Sequence, residues 1–525
     1  MRRFFRLFVF LLGVLLLSVS CIEKPKAVLR SVMVERDTVT VPVLGTAVFY
    51  FTVYEPDYAF DLEKDVVLYL AKGQFLASHD FCLSRVERDT VPGRYLAEIT
   101  DLGLHDDYDE EVCIGVRLPE GVMKLSPSFR CVGEFGGPLG PVQKTGLPIL
   151  YLDTQYGAAI RSKTDYVTAT LTLPDEGGET ISLSCGVRGR GNTTWGWPKK
   201  PYLVKLDKKA SLMGMPAHKR WILLANFMDR TMMRNLVAMK VSSMTSLAWT
   251  PRCRTVELVL NGKHQGNYLL IEQVRVDKNR VNIGDDGYLF ESDFHYDNEV
   301  QWMDPHGKCV QFGSGIPFGI KNPDPDEITS EQVQKGKELI SRTAGAIYGA
   351  DFADPDIGYA AYIDVDSFVD YWIVFEVMGN HELGNPGSVF YHCKPDGKLT
   401  AGPCWDFDWG VLSYNTSPQA RTGLLNRNAC WYARLFDDPA FRSKVRTRFQ
   451  EILPQLQTIP QYIDELEKQL DASATLNFKL WNPAEDAWTN GGHIINGDEN
   501  MSFHDAVARL RSIYEERLTV IQKNL

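Results

Sequence analysis

The stretch Gly133-Glu134-Phe135-Gly136-Gly137-Pro138-Leu139-Gly140-Pro141 constrains most how this chain can fold. Proline removes amide donors and glycine removes side-chain packing, so neither a helix nor a central strand survives there. It reads as a linker over 133–146, and whatever folds on either side must bury its own core. With 525 residues, 44% of them hydrophobic, the chain has apolar material for two or three such cores.

Ahead of the linker, over 28–132, short β-type runs alternate with turns: Thr38 to Pro42, Ala47 to Tyr54, Val66 to Leu70, Tyr95 to Ile99 and Val112 to Leu118. Even spacing and β-branched and aromatic enrichment predict a small, immunoglobulin-like β-sandwich. The run Asp106-Asp107-Tyr108-Asp109-Glu110-Glu111 reads as a solvated loop. Residues 1–21 read as a leader: Met1 to Arg6 carries positive charge, Leu7 to Leu17 is apolar but too short to span a bilayer, and Leu17-Ser18-Val19-Ser20-Cys21 resembles a bacterial lipobox, with Ser18 where Leu is usual. That resemblance implies lipidation at Cys21, hence an exported lipoprotein held to a membrane of the cell envelope, at the outer membrane or cell surface. Of the other cysteines none stands in C-x-x-C spacing, which argues against a zinc ribbon, and Cys113 with Cys131 is a candidate disulfide. Lys plus Arg number 56 against 67 Asp plus Glu, a net charge of −11 that argues against nucleic acid as partner.

After the linker the pattern mixes strands and helices, an α+β domain over 147–525. Cys185-Gly186-Val187-Arg188-Gly189-Arg190-Gly191-Asn192-Thr193-Thr194-Trp195 is a Gly-rich turn between strands, followed by Pro198-Lys199-Lys200-Pro201 and a strand bearing Lys205. It reads either as a phosphate cradle or as a solvated hairpin with scattered cations. Trp221 to Asn226 predicts a strand, Arg230 to Met244 an amphipathic helix, and Arg254 to Glu272 a hairpin about Asn261-Gly262. This order is the ground plan of a protein-kinase N-lobe. Asp364 to Gly379 then predicts a helix, Ser388 to Gly402 a hairpin, and Trp405-Asp406-Phe407-Asp408-Trp409-Gly410 follows. In an extended segment Asp406 and Asp408 share one face, able to hold one hard cation, while Trp405, Phe407 and Trp409 pack on the other. A solvated loop, a Ca²⁺ site and the D-x-D of a glycosyltransferase remain open for this pair. His381-Glu382 does not begin H-E-x-x-H, because Asn385 stands at the second His position. Helices are expected near 441–453, 459–470 and 504–521.

These motifs together resemble the spore-coat protein H (CotH) kinase-like family: Arg190 to Trp195 with Pro198-Lys199-Lys200, Met213-Gly214-Met215-Pro216, Trp221 to Asn226, Arg234-Asn235, Glu257 to Gly262, Gln265 to Glu272 and Trp405 to Asp408. The resemblance implies an atypical two-lobed kinase-like domain, N-lobe about 147–275 and C-lobe about 276–525, that uses ATP with Mg²⁺ or Mn²⁺ to phosphorylate Ser or Thr hydroxyls of a protein substrate. It further implies that Arg190, Gly191 and Asn192 close over the phosphates, that Lys200 or Lys205 contacts them, and that Glu272 leads to the adenine hinge. Asp406 and Asp408 would hold the metal. Where the family often has Asn-x-Asp with a downstream Asn, this chain has Asn380-His381-Glu382 and Gly387, so Glu382 stands as the candidate base and Asn385 or Ser388 as the substitute ligand. The alternative is a catalytically silent kinase fold serving as a binding or structural lipoprotein.

Overall fold

The structure, a computed structural model, describes residues 32–134 and 144–525 apart from 43–45, 55–60, 63, 72–80, 102–108, 118–121, 176, 296–297 and 482–494. The expected leader with Cys21 and most of the expected linker lie outside the described residues. The chain divides into two compact units, 1–137 and 138–525.

The first unit contains β1 (Val32–Val34), β2 (Thr38–Pro42), β3 (Thr46–Val53), β4 (Val66–Leu70), β5 (Phe81–Arg88), β6 (Arg94–Asp101), β7 (Asp109–Arg117), β8 (Met123–Leu125) and β9 (Phe129–Glu134). They make two sheets, β1-β3-β6-β5 and β2-β9-β7-β4, with β8 on β7. Alternate residues such as Phe49, Phe51, Val112, Ile114 and Val116 bury into one core between them. Two expectations change here. Asp109 to Glu111 belong to β7 itself, drawn out of the loop by pairing with β9. Cys113 and Cys131 are both free. Cys131 pairs with Glu110 and so shares its face, whereas Cys113 stands an odd number of residues away on the opposite face.

The second unit begins with a closed barrel of β10 (Ile149–Thr154), β11 (Val167–Pro174), β12 (Thr180–Gly189), β13 (Tyr202–Leu212), β14 (Met215–Leu224), β15 (Cys253–Leu260) and β16 (Lys263–Glu272), ordered β10-β11-β12-β13-β14-β16-β15. The parallel pairing of β10 with β15 closes it. Val187, Val204, Trp221, Leu223 and Leu270 fill its interior. Ile222, Leu224, Leu269 and Ile271, on the other face of β14 and β16, join the larger core of the unit. One wall is thus apolar on both sides, which explains the near-continuous hydrophobic runs there.

Helix α1 (Arg234–Ser242) is shorter than expected and buried almost all round rather than amphipathic. A second sheet, ordered β18-β19-β17-β20-β21, comprises β17 (Tyr288–Ser292), β18 (Gln301–Asp304), β19 (Ile316–Asn322), β20 (Val389–Cys393) and β21 (Thr400–Ala401). Around it pack α2 (Ser330–Tyr348), α3 (Val365–Val377), α4 (Pro439–Leu456), α5 (Ile459–Leu480) and α6 (Phe503–Asn524). The aromatic stripe of α3, Phe368, Tyr371, Trp372 and Phe375, is wholly buried. The second sheet is antiparallel throughout, unlike the alternating parallel sheet of a D-x-D glycosyltransferase. Among the described residues no helix is long and apolar enough to cross a membrane.

Candidate functional site

A cleft of 590 Å³ opens where the turn after β12, the ends of β14 and β17, and the loops after α3 and β21 converge. Arg190, Gly191, Asn192, Glu382, Asp406 and Asp408 all line it, so the sequence-predicted Gly-rich turn and acidic pair do meet.

The turn is built by its glycines. A Cβ on Gly189 would stand 2.4 Å from the Trp195 ring, and Gly191 has φ of 87° with Thr194 Oγ1 2.0 Å from where its Cβ would be. Arg190 therefore leaves β12 against the Trp195 turn and points into the cleft, its guanidinium 5.7 Å from the Trp405 ring. Lys200 and Lys205, by contrast, do not line the cleft. Lys200 Nζ turns back to donate to Trp195 O at 3.0 Å, and Lys205 is exposed on the outer barrel wall. Lys199 is the buried lysine. Its ammonium donates to Ala225 O at 2.9 Å, to Asn477 Oδ1 of α5 at 2.8 Å and to Asn267 O. It clamps the turn to the barrel and to α5, while the cleft's cations are Lys163, Arg188, Arg190 and Lys321.

Glu272 is also displaced from its expected role. Its carboxylate lies buried on the other side of β16, bonded to the Arg252 amide at 2.9 Å and 3.7 Å from Arg280 Nε. Its neighbour Gln273, just past the end of β16, lines the cleft instead.

Asp406 and Asp408 reach one place by a route the period-two argument missed. The strand ends at Ala401, and Asp406 is left-handed with φ of 64°. The Phe407 amide donates to Asn235 Oδ1 of α1 at 2.8 Å, and its ring packs on Phe375 at 4.8 Å. Trp409, expected behind the acids, lines the cleft and stacks on Trp197 with planes 4° apart. Behind the loop, Asn496 accepts from the Gly410 amide at 2.9 Å, and Arg234 is buried between Asp229 and Asp498. Arg234 and Asn235 stand in a motif quoted above, but their bracing role is not legible in it, and Asn496 and Asp498 carry no motif at all.

Glu382 is set by Asn380, whose Oδ1 accepts its amide at 2.9 Å. Two departures noted in the sequence meet in space. A Cβ at Gly387 would stand 3.0 Å from Glu382 Oε1, so the longer carboxylate occupies space that a side chain at 387 would need. Asn385 and Ser388 line the cleft as well. Sequence reasoning missed Glu291, Asp293, His295 and Lys321, although Glu291-Ser292-Asp293 has the same acid-x-acid spacing as Asp406-Phe407-Asp408. Asp293 Oδ1 accepts from the His295 amide at 2.9 Å and lies 2.7 Å from its Nδ1; Lys321 Nζ is 3.2 Å from Glu291.

Acid outweighs base in this cleft. Burial pushes the Asp406 carboxyl above its ordinary pKa against the pull of Arg190, and burial and the charge of Asp406 push Asp408 up likewise. Burial, then Asp406, holds Glu382 well above the carboxylate range. Burial lowers the Arg190 guanidinium against the pull of Asp406 and Asp408. Buried, like-charged hard oxygen donors with one arginine between them suit a divalent cation. Among the described residues no group of three or more His, Cys, Asp or Glu is placed to hold a metal. Asp406 and Asp408 supply the one or two carboxylates that an ion such as Mg²⁺ takes from protein, the rest of its shell coming from elsewhere.

A family model described as CotH kinase protein matches residues 187–521, which takes in the Gly-rich turn, the acidic pair and α3 to α6. This chain belongs to the CotH kinase family. No match was found among curated proteins. Among solved structures the chain is similar to the fibronectin(III)-like modules of Clostridium thermocellum CbhA, with 12% identity over 36% of this chain and 90% of that one, TM-score 0.14. It is also similar to FdeC, an Escherichia coli adhesin, with 12% identity over 57% of this chain and 90% of that one, TM-score 0.17. At such scores neither bears on the fold. The CotH assignment covers the second unit from β12 onward and leaves the β-sandwich unmatched.

Proposed function

We propose that the second unit is a two-lobed kinase-like fold that binds ATP with Mg²⁺ or Mn²⁺ in the cleft and transfers the terminal phosphoryl group to a Ser or Thr hydroxyl of a protein substrate. One observation carries this: Arg190, Asp406 and Asp408 converge in one buried cleft of a CotH-family chain. Asp406 and Asp408 would hold the metal, which supplies charge neutralisation of the phosphates. Arg190, over the Trp405 face beside the acids, binds the phosphate oxygens. Leu203, Leu224 and Ala225 offer an apolar roof for the base. The acceptor oxygen forms a bond to phosphorus as the bond to the bridging oxygen breaks; Glu382, oriented by Asn380, is placed to take the hydroxyl proton, and ADP leaves with the electron pair.

The test is thermal shift of the purified chain with ATP and Mg²⁺ or Mn²⁺. The expected result is a metal-dependent rise in Tm, growing with ligand concentration and lost in Asp406→Ala and Asp408→Ala. No shift with either metal across millimolar ATP in a well-folded protein overturns the reading. A second reading, a silent kinase fold acting as a binding module, is favoured by Glu382, which stands where the family's base is an Asp and whose carboxyl burial and the nearby Asp406 raise above its ordinary pKa. It predicts ATP binding without phosphoryl transfer to any acceptor. Export and lipid attachment at Cys21 complete the proposal; Cys21→Ser should abolish labelling by a fatty-acid probe and release the protein from the membrane fraction.

A further inference from the structure

The outer barrel wall beside the cleft carries cations that the reading above does not use. Pairing of β12, β13 and β14 sets Gly186, Lys205 and Arg220 in one row and Arg188, Leu203 and Ile222 in the next but one, all on the same face. Lys205 and Arg220 stand directly opposite each other, an arrangement of like charges that weakens a strand pair. Tyr166, just ahead of β11, lies over this row. Gly186 makes the room, since a Cβ there would stand 3.0 Å from the Tyr166 ring. Arg220 Nη1 donates to the phenol oxygen at 3.1 Å, and the Arg188 guanidinium and Lys205 ammonium lie 5.3 and 5.6 Å from the ring centroid.

Arg275, three residues beyond β16, adds a fourth cation close enough to act on Arg220 and Arg188. Among the described residues Arg188, Lys205 and Arg220 form no ion pair, and Arg275 has only Asp324, at 3.6 Å. Arg188 Nε is buried without a partner. Burial opposes it, yet Arg188 and Arg220 together draw the Tyr166 phenol below its ordinary pKa, a mark of local positive potential. A chain of net charge −11 thus gathers four cations at one edge of its cleft. Arg188 belongs to both places, because it also lines the cleft. The row of Gly186 lies four residues from Arg190 along β12, about 13 Å at the rise of a strand, so an anion there is distinct from one on Arg190.

We propose that this cluster binds an oxyanion carried by the acceptor polypeptide, an acidic or phosphorylated side chain near the hydroxyl to be modified. The inference rests on the kinase reading for the existence of that acceptor. The site is open, with Lys205 exposed and Tyr166 38% exposed, and it spreads over three strands. Such a surface suits a side chain of an extended segment better than an enclosed small ion. Free phosphate is the other source of the same chemistry.

The experiment uses the full-length chain and fluorescence anisotropy with three serine peptides, flanked by Glu, by phosphoserine or by Ala, and inorganic phosphate as competitor. The acidic and phosphorylated peptides should bind at least tenfold more tightly than the Ala peptide, and salt should weaken them. Lys205→Ala with Arg220→Ala should weaken them roughly tenfold, from two exposed charge contacts. The same double variant should keep its ATP and Mn²⁺ thermal shift, and Lys468→Ala on α5 should change nothing. Equal binding of the three peptides, or no loss in the double variant, overturns the proposal. So does tight inorganic phosphate binding without peptide preference, which assigns the cluster to free phosphate. Acidic-peptide preference in a chain that shows no ATP shift sinks the kinase reading and leaves the anion site standing.

Discussion

Lys199→Met tests how the Gly-rich turn is held. The variant keeps the unbranched apolar stem, one atom shorter, but leaves Ala225 O, Asn267 O and Asn477 Oδ1 without their common donor. Charge-assisted hydrogen bonds contribute about 1.5–3 kcal/mol each, partly offset here because Asn477 Oδ1 also accepts from the Asn267 amide. A loss of about 3–5 kcal/mol from the second unit is expected at pH 7. Its dependence on pH follows from linkage. Burial pushes the Lys199 ammonium down to about 7 in the folded state, from 10.5 when unfolded. Between those values the unfolded chain binds a proton that the folded chain lacks, so wild-type stability rises with pH by about 1.4 kcal/mol per unit, and below pH 7 there is no slope. The gap between wild type and Lys199→Met should therefore widen by about 2–3 kcal/mol from pH 7 to 9. Urea unfolding followed by tryptophan fluorescence at pH 6, 7, 8 and 9 measures it. A loss below about 1 kcal/mol at pH 7 would refute the clamp. A constant gap would show that the three acceptors keep the proton on against burial.

Gly387→Asn alone should cost about 1–3 kcal/mol by crowding Glu382, and adding Glu382→Asp should restore most of the Tm; no rescue in the double variant breaks the link drawn between the two positions. Arg234→Met should cost about 3–5 kcal/mol, since it leaves Asp229 and Asp498 buried without their cation, and should also weaken the ATP and Mn²⁺ shift because Arg234 Nε donates to Val411 O beside the acidic loop. Mass spectrometry of the alkylated, unfolded chain should find both Cys113 and Cys131 modified without reduction; a single bridged peptide containing both would contradict their placement on opposite faces.

Much of the architecture was legible because local patterns suffice where one face is buried. The hairpin about Asn261-Gly262, the α3 stripe and the C-terminal helices follow from period and turn chemistry, and observed β15, β16 and α4 to α6 lie where expected or run somewhat longer. β17, β18, β19 and α2 went unread. Glu291 to His295 therefore entered the cleft unannounced, since a short run with no turn signature shows nothing of what it will face.

Arg190, Gly191, Asn192, Asp406 and Asp408 could be marked as candidates from the sequence because a Gly-rich turn and a pair of acids stand out locally and match a family pattern, although the extended geometry expected of the acids is not the one observed. Which lysine does what could not. Lys199, Lys200 and Lys205 look alike in sequence, yet one is buried as a clamp, one turns back on Trp195 and one stands outside the barrel. The same holds for Glu272 and Gln273, neighbours at the end of β16, of which one bonds Arg252 and the other lines the cleft. Local sequence determined most of the elements and marked the candidate groups, because propensity, period and turn chemistry act within a few residues. Tertiary structure alone decided which groups meet. The acid pair is aimed by Asn235 and Asn496, distant in sequence, and by a left-handed Asp406 that their hydrogen bonds hold in place.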